Sequence, residues 1–123
     1  MRILITGSRD WTNIETISAA IMGAAEADGC TPDMVTIVHG GAIGADSMAA
    51  EYAEKNGYNI EEHPVVWRPY GIYNPRAGLA RNSDMVNLGA DACLAFIRNG
   101  SRGASDCARK AEAAGIPTSR YEA

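Results

Sequence analysis

The chain has 123 residues, 46% of them apolar, and a formal net charge of −4. This length and composition are typical of one folded domain and exclude intrinsic disorder. The chain lacks the apolar run of roughly 18 residues that a membrane-spanning helix needs, a signal-peptide cleavage site and the cysteine spacing of a disulfide framework or zinc site. We therefore expect a cytoplasmic protein with no metal site and no cofactor.

Apolar runs and glycine stops alternate along the chain. Residues 2–6 form an apolar run that ends at Gly7, which predicts a buried first strand. Asn13 is a suitable cap for a helix that runs to about Asp28. In chain order there follow a strand at 34–39, a helix at 45–56, a strand at 59–64, a helix at 76–88, a strand at 91–97, a helix from the 99–103 turn to residue 114 and a strand at 117–121.

This alternation of strands and helices predicts the α/β class. Strands joined through helices pair in parallel by right-handed crossovers, and nearly continuous apolar strands fit a sheet that helices cover on both faces. We expect one Rossmann-like, three-layer domain over residues 1–123, with a parallel sheet of about five strands.

The turns after three strands are rich in glycine and serine. Glycine lets backbone N–H groups approach an anion, and the start of the following helix adds unpaired N–H donors and a partial positive charge. Together they predict a phosphate-binding loop at the carboxyl edge of the sheet. The predicted ligand-binding residues are Gly7, Ser8, Arg9, Trp11, Gly40, Gly41, Gly44, Ala45, Asp46, Arg81, Asn82, Gly100, Ser101, Gly103 and Ala104.

Several of these residues have a structural alternative. Arg9 could clamp a phosphate or pair with its neighbour Asp10. Trp11 could stack on a base or cover the first helix. Asp46 could bind a ribose hydroxyl or cap the second helix.

Two neighbouring residues of the third helix are also ambiguous. Arg81 could place its charge over the ligand or pair with Asp84 one turn later, and Asn82 could bind a sugar or base. In the preceding loop, aromatic and basic residues interleave, which suits stacking of single-stranded bases, a lid or a dimer contact. These loop residues are Trp67, Arg68, Tyr70, Tyr73 and Arg76.

The motifs at 5–11, 39–46, 77–85, 91–96, 99–103 and 115–117 together resemble the SLOG superfamily, and within it the YspA-like branch. This branch is common in bacteria and their phages. The resemblance covers nearly the whole chain and implies a Rossmann-like fold that binds nucleotides or nucleotide-derived ligands. Relatives include the Lonely Guy phosphoribohydrolases and the DNA-processing protein A fold. The resemblance also implies a homodimer or a higher homo-oligomer.

The resemblance to the phosphoribohydrolases is imperfect at their catalytic residues. Arg81 matches their catalytic arginine, but Cys107 stands where they have the catalytic glutamate, and Asp106 lies one position earlier. One helical residue turns a side chain by about 100°. If the chain is an enzyme, Arg81 and Asp106 are its candidate catalytic residues.

These observations predict a module that senses or sequesters a nucleotide-like small molecule. Two alternatives stay open: an N-glycosidase or phosphoribohydrolase that acts on a nucleoside monophosphate, and a single-stranded DNA-binding protein. Because the net charge is negative, nucleic acid is not expected as a partner, and no membrane is expected either.

Overall fold

The computed structural model describes residues 1–123, apart from the side chain of Pro69. Strands and helices alternate along the chain as predicted. Two short 3₁₀ helices lie at Pro32–Met34 and Pro69–Gly71. The regular elements are β1 (Arg2–Gly7), α1 (Ile14–Ala27), β2 (Thr36–His39), α2 (Ala45–Lys55), β3 (Asn59–Glu62), α3 (Ala77–Asn87), β4 (Ala92–Ile97), α4 (Arg102–Ala113) and β5 (Thr118–Glu122).

All five strands belong to one parallel sheet in the order β3-β2-β1-β4-β5. The first strand is central, and Ile3 lies between Ile37 of β2 and Ala92 of β4. The order reverses between β1 and β4, the kind of position where open α/β sheets bind ligands. The sheet and its flanking helices confirm the predicted α/β, Rossmann-like fold.

The core consists of two apolar layers, one on each face of the sheet. Side chains alternate between the faces of a strand, so Ile3 and Ile5 enter one layer and Leu4 the other. Helices α1 and α2 cover the first layer, and α3 and α4 cover the second. This arrangement explains why the central strands are apolar on both faces.

The predicted ends of several elements shift by one or two residues. Strand β3 ends two residues early, at Glu62. Strand β2 begins at Thr36 and not at Met34, because Pro32–Met34 form a 3₁₀ turn closed by the N–H of Val35 and the carbonyl of Pro32. The predicted cap of α1 is confirmed, since the Asn13 side chain accepts a hydrogen bond from the N–H of Thr16. Among the described residues, none of the helices has both the length and the apolar character that crossing a bilayer requires.

Parallel pairing brings the carboxyl ends of all the strands to one edge, where the helices that follow them begin. At this edge the end of β1 touches the start of α2. A side chain on Gly7 would overlap Ala45 and press on the carbonyl of Phe96, at 3.1 Å. The N–H of Ala45 donates to the carbonyl of Ser8 at 3.2 Å. The strand and the helix can meet this closely only because residue 7 has no side chain.

We therefore expect Gly7→Ala to destabilise the fold by about 1–3 kcal/mol, the usual cost of overpacking a tight contact. Gly23→Ala is the matched control, because Gly23 lies within α1 with open space around it. This control should raise the free energy of unfolding by about 0.5–1 kcal/mol through helix propensity. Urea unfolding of both variants tests the contact, and equal stabilities would contradict it.

Candidate functional site

A cleft of about 830 Å³ opens at the carboxyl edge of the sheet. The end of β1, the loop between β2 and α2, one side of α3, the start of α4 and the segment before α3 line it. Ten of the predicted ligand-binding residues line this cleft, namely Gly7, Arg9, Gly40, Gly41, Asp46, Arg81, Asn82, Ser101, Gly103 and Ala104. The other predicted residues lie outside its lining, namely Ser8, Trp11, Gly44, Ala45, Gly100 and Asp106.

The glycines of the loop after β2 are explained by close packing. A side chain on Gly40 would overlap the guanidinium of Arg81. Gly41 and Gly44 have φ of 72° and 83°, in the left-handed region that favours glycine. A side chain on Gly44 would also overlap the backbone of Ser8. The glycine pattern that predicts a phosphate-binding loop thus has a structural cause here.

Several backbone donors of this loop have partners inside the protein. The N–H groups of Gly40 and Ala42 donate to Asp46 Oδ2, at 3.0 and 3.4 Å, and the N–H of Gly41 donates to His39 Nδ1 at 3.0 Å. The N–H of Ala45 is also engaged by β1. These four amides are therefore engaged within the protein and are not among the donors that a phosphate could use.

Asp46 occupies the position where the prediction places an anion. The structural alternative for this residue, capping of α2, is wrong, because its side chain bonds to the preceding loop. The residue is only 4% exposed, and burial raises the pKa of its carboxyl to about 6. The charge of Arg81 and the two backbone bonds act in the opposite direction. Within the described residues, Asp46 Oδ1 has no hydrogen-bond partner.

Arg81, on α3, forms hydrogen bonds with residues around the cleft. Its Nη1 atom donates to the carbonyls of Gly40 at 2.6 Å and His63 at 3.1 Å, and its Nε atom donates to Asn82 Oδ1 at 3.1 Å. The predicted alternative of pairing with Asp84 is not among the ion pairs of the described residues. Arg81 therefore ties the ends of β2 and β3 to α3.

The predicted catalytic pair of Arg81 and Asp106 does not meet in the cleft. Asp106 forms ion pairs along α4 with Lys110 at 2.9 Å and Arg109 at 3.8 Å. Asn82 lies between the two helices, because its Nδ2 atom donates to both Asp106 and the carbonyl of Gly103, at 3.3 Å each. Asn82 and Asp106 thus join α3 to α4, and the candidate acid is engaged outside the cleft.

Ser8 and Trp11 are also structural. The hydroxyl of Ser8 donates to the carbonyl of Arg98 at 3.2 Å and accepts from its N–H at 2.7 Å, which joins the ends of β1 and β4. Trp11 is buried edge-on against Phe96, and its Nε1 atom donates to the carbonyl of Asn13. The stacking role predicted for Trp11 is therefore wrong, because its ring is in the core.

The remaining predicted residues differ in exposure. Arg9 is exposed in the cleft lining. Ser101 caps α4 by accepting from the N–H of Ala104 at 3.5 Å. Gly100 lies outside the lining at a φ of 62°, in the turn before α4.

The two histidines take part in the packing around the cleft. His39 is buried, and burial lowers the pKa of its imidazole, which favours the neutral ring that accepts from Gly41. His63 contacts Glu61 at 2.7 Å, and Glu61 also pairs with Arg2. These two partners hold the pKa of Glu61 near 2, with Arg2 the larger influence.

One wall of the cleft carries aromatic residues that the predicted site omits. Trp67 and Tyr73 both line the cleft, with exposed fractions of 46% and 55%. Their ring centroids lie 6.3 Å apart, and the guanidinium of Arg68 lies 5.5 Å from the Tyr73 centroid. The interleaved aromatic and basic residues of this loop are the sequence signal that points to this wall.

Comparison with known proteins bears on both family and fold. Residues 1–70 match the model of the YspA, cpYpsA-related SLOG family. The chain belongs to this family. It is 40% identical over 125 residues to the Gene 61 protein of Mycobacterium phage D29, an alignment that covers 98% of this chain and 95% of the phage protein. The predicted SLOG and YspA-like resemblance is thus confirmed.

A solved structure shares the fold. It describes the single-stranded DNA binding mode of DNA processing protein A from Helicobacter pylori, and the two chains superpose with a TM-score of 0.66 at 21% identity. The match covers 98% of this chain but spans only 64% of the length of the solved protein.

This likeness corrects two predictions. The nucleotide-sensing module and the exclusion of nucleic acid as a partner are both wrong, because the matching protein of this fold binds single-stranded DNA. The amides of Gly40, Gly41 and Ala42 are engaged within the protein as well, which weakens the argument for a nucleotide phosphate site at these positions. The activity of that solved protein corresponds to the third alternative, single-stranded DNA binding.

The buried carboxyl of Asp46 predicts a pH-dependent stability. Its folded pKa of about 6 exceeds the ordinary value of 3.8, so the folded state holds the proton more tightly than the unfolded state. The free energy of unfolding should therefore fall as the pH rises between about 4 and 6 and then level off. A difference of two pKa units corresponds to about 3 kcal/mol.

Asp46→Asn removes this titration and keeps an oxygen that can accept from Gly40. We expect the stability of the wild type, relative to this variant, to fall by up to about 3 kcal/mol between about pH 4 and pH 7. Urea unfolding across this range measures the difference. Parallel pH profiles of the two proteins would contradict the assignment.

Proposed function

We propose that this protein binds single-stranded DNA in the cleft at the carboxyl edge of the sheet. The observation that carries the proposal is the exposed aromatic wall of Trp67 and Tyr73 beside Arg68. Unpaired bases stack on aromatic rings regardless of sequence, at about 1–3 kcal/mol per base. A duplex keeps its bases stacked inside the helix, so this wall suits a single strand.

Exposed arginines around the cleft supply the positive charge that a DNA backbone needs. Arg9 is in the lining, and Arg68 directly follows Trp67. Arg76 and Arg102 are exposed and adjoin the lining residues Pro75, Ser101 and Gly103. The net charge of −4 belongs to the whole chain, and local arginines can contact phosphates in spite of it.

The floor of the cleft favours a base over a phosphate. The amides of Gly40 and Ala42 donate to Asp46, and the buried carboxyl of Asp46 would repel an anion once it ionises. The cleft can therefore accommodate a nucleotide within a strand. Its base would lie against the aromatic wall and point toward the polar floor, and its phosphates would lie near the arginines at the margin.

The solved relative supports the same proposal. DNA processing protein A of Helicobacter pylori binds single-stranded DNA and has the same fold over nearly all of this chain. At 21% identity the likeness itself establishes only the fold, so the proposal depends on the residues of this cleft.

Removing the Trp67 ring tests the stacking wall. Trp67→Ala should weaken binding of a labelled single-stranded oligonucleotide by about 1–3 kcal/mol, roughly 5- to 100-fold, because a base loses its stacking surface. Met22→Ala is the control, since Met22 is similarly exposed but lies on α1, away from the cleft. Fluorescence anisotropy measures both affinities. Equal affinities of the two variants would contradict the role of the wall.

Removing Arg9 tests the phosphate contacts. Each phosphate neutralised on a single strand contributes about 0.7 to the slope of log K against log salt concentration. Arg9→Ala should reduce this slope by about that amount. Lys55→Ala is the control, because Lys55 lies in the last turn of α2, at the opposite edge of the sheet. If Arg9→Ala leaves the slope unchanged, Arg9 does not contact a phosphate. If the wild type does not bind single-stranded DNA even at low salt, the proposed function is refuted.

A further inference from the structure

The floor of the cleft holds a buried acceptor that lacks a donor. Asp46 is 4% exposed and lines the cleft, and its Oδ1 atom has no hydrogen-bond partner among the described residues. Buried polar atoms are nearly always paired, and leaving one unpaired costs stability. An unpaired carboxylate oxygen on a residue that lines a cleft therefore points to a donor supplied by a ligand.

The neighbouring protein groups are already committed elsewhere. The amides of Gly40 and Ala42 bond to the other carboxyl oxygen, Oδ2. The Nη1 and Nε atoms of Arg81 bond to two backbone carbonyls and to Asn82. These donors are therefore bonded to other acceptors and not to Oδ1.

The chemistry of DNA limits what can donate to Asp46. Phosphodiesters and the deoxyribose of an internal nucleotide carry no N–H or O–H donor, so the base is the only donor within the strand. We propose, on the basis of the proposed function, that the cleft floor selects a base with an exocyclic amino group, which donates to Asp46 Oδ1.

This selection disfavours thymine. The exocyclic amino groups of cytosine, adenine and guanine donate outward from the ring, and acceptance from the cytosine amino group by an aspartate or glutamate is a known mode of base recognition. The N–H of thymine lies between two carbonyl oxygens. When this N–H approaches the carboxylate of Asp46, the two oxygens come close to the carboxylate as well, which is unfavourable. Cytosine and thymine make the sharpest comparison, because both are pyrimidines of similar size.

The test compares oligocytidylate with oligothymidylate of equal length by fluorescence anisotropy at pH 8, where Asp46 is ionised. The wild type should bind oligocytidylate roughly tenfold more tightly, the discrimination expected of one good base contact. Asp46→Asn places an amide in the cleft and should bring the ratio of the two affinities close to one. Asp28→Asn is the control, because it makes the same chemical change at the opposite end of the fold, after α1, and should keep the wild-type ratio.

The outcomes separate the two proposals. Equal binding of both oligonucleotides by the wild type would overturn base selection and leave single-stranded DNA binding intact. A cytosine preference that survives Asp46→Asn would overturn the assignment to Asp46. Binding of neither oligonucleotide would overturn the proposed function and this inference with it. A further oligocytidylate carries two methyl groups in place of the two hydrogens of each cytosine amino group. If this change abolishes the wild-type preference, the result would support the selection without any protein variant.

Discussion

The direct contact between the end of β1 and the first turn of α2 sets the shape of the whole carboxyl edge. Gly7 lets Ala45 approach the strand, and Gly44, at a φ of 83°, lets the loop pass over the backbone of Ser8. The hydrogen bond from the N–H of Ala45 to the carbonyl of Ser8 closes this junction. Because α2 starts so close to the sheet, Asp46 in its first turn lies in the floor of the cleft and can reach back to the loop.

That placement decides the electrostatic character of the site. A loop with free amides and no nearby carboxylate would favour a phosphate. Here the carboxyl of Asp46 accepts hydrogen bonds from the amides of Gly40 and Ala42, and Arg81 donates a hydrogen bond to the carbonyl of Gly40. The floor becomes a hydrogen-bonding surface that includes both Asp46 and Arg81, and exposed arginines add positive charge at the margin. A strand of DNA, with bases and phosphates on opposite sides of its sugars, matches this separation.

Family resemblance and local chemistry differ at this site. The chain belongs to a SLOG family and shares its fold with DNA processing protein A. The match of Arg81 to the catalytic arginine of the phosphoribohydrolases does not bring a catalytic acid with it, since Asp106 pairs with Lys110 on α4. Arg81 holds the backbone around the cleft through its hydrogen bonds to the carbonyls of Gly40 and His63.

The sequence by itself determined the order and type of the elements, the parallel sheet and the edge where the cleft lies, because apolar periodicity, caps and glycine stops are local signals. It also indicated the aromatic loop, through the alternation of Trp67, Arg68 and Tyr73. Only the tertiary structure decided which polar groups stay free. The sequence does not show which partners come within hydrogen-bonding or packing distance. In the structure Ser8 bonds to Arg98, Trp11 packs against Phe96, and the amide of Gly40 after β2 donates to Asp46. Those partners are distant along the chain or lie across a turn, and a hydrogen bond already made inside the protein leaves no donor for a ligand.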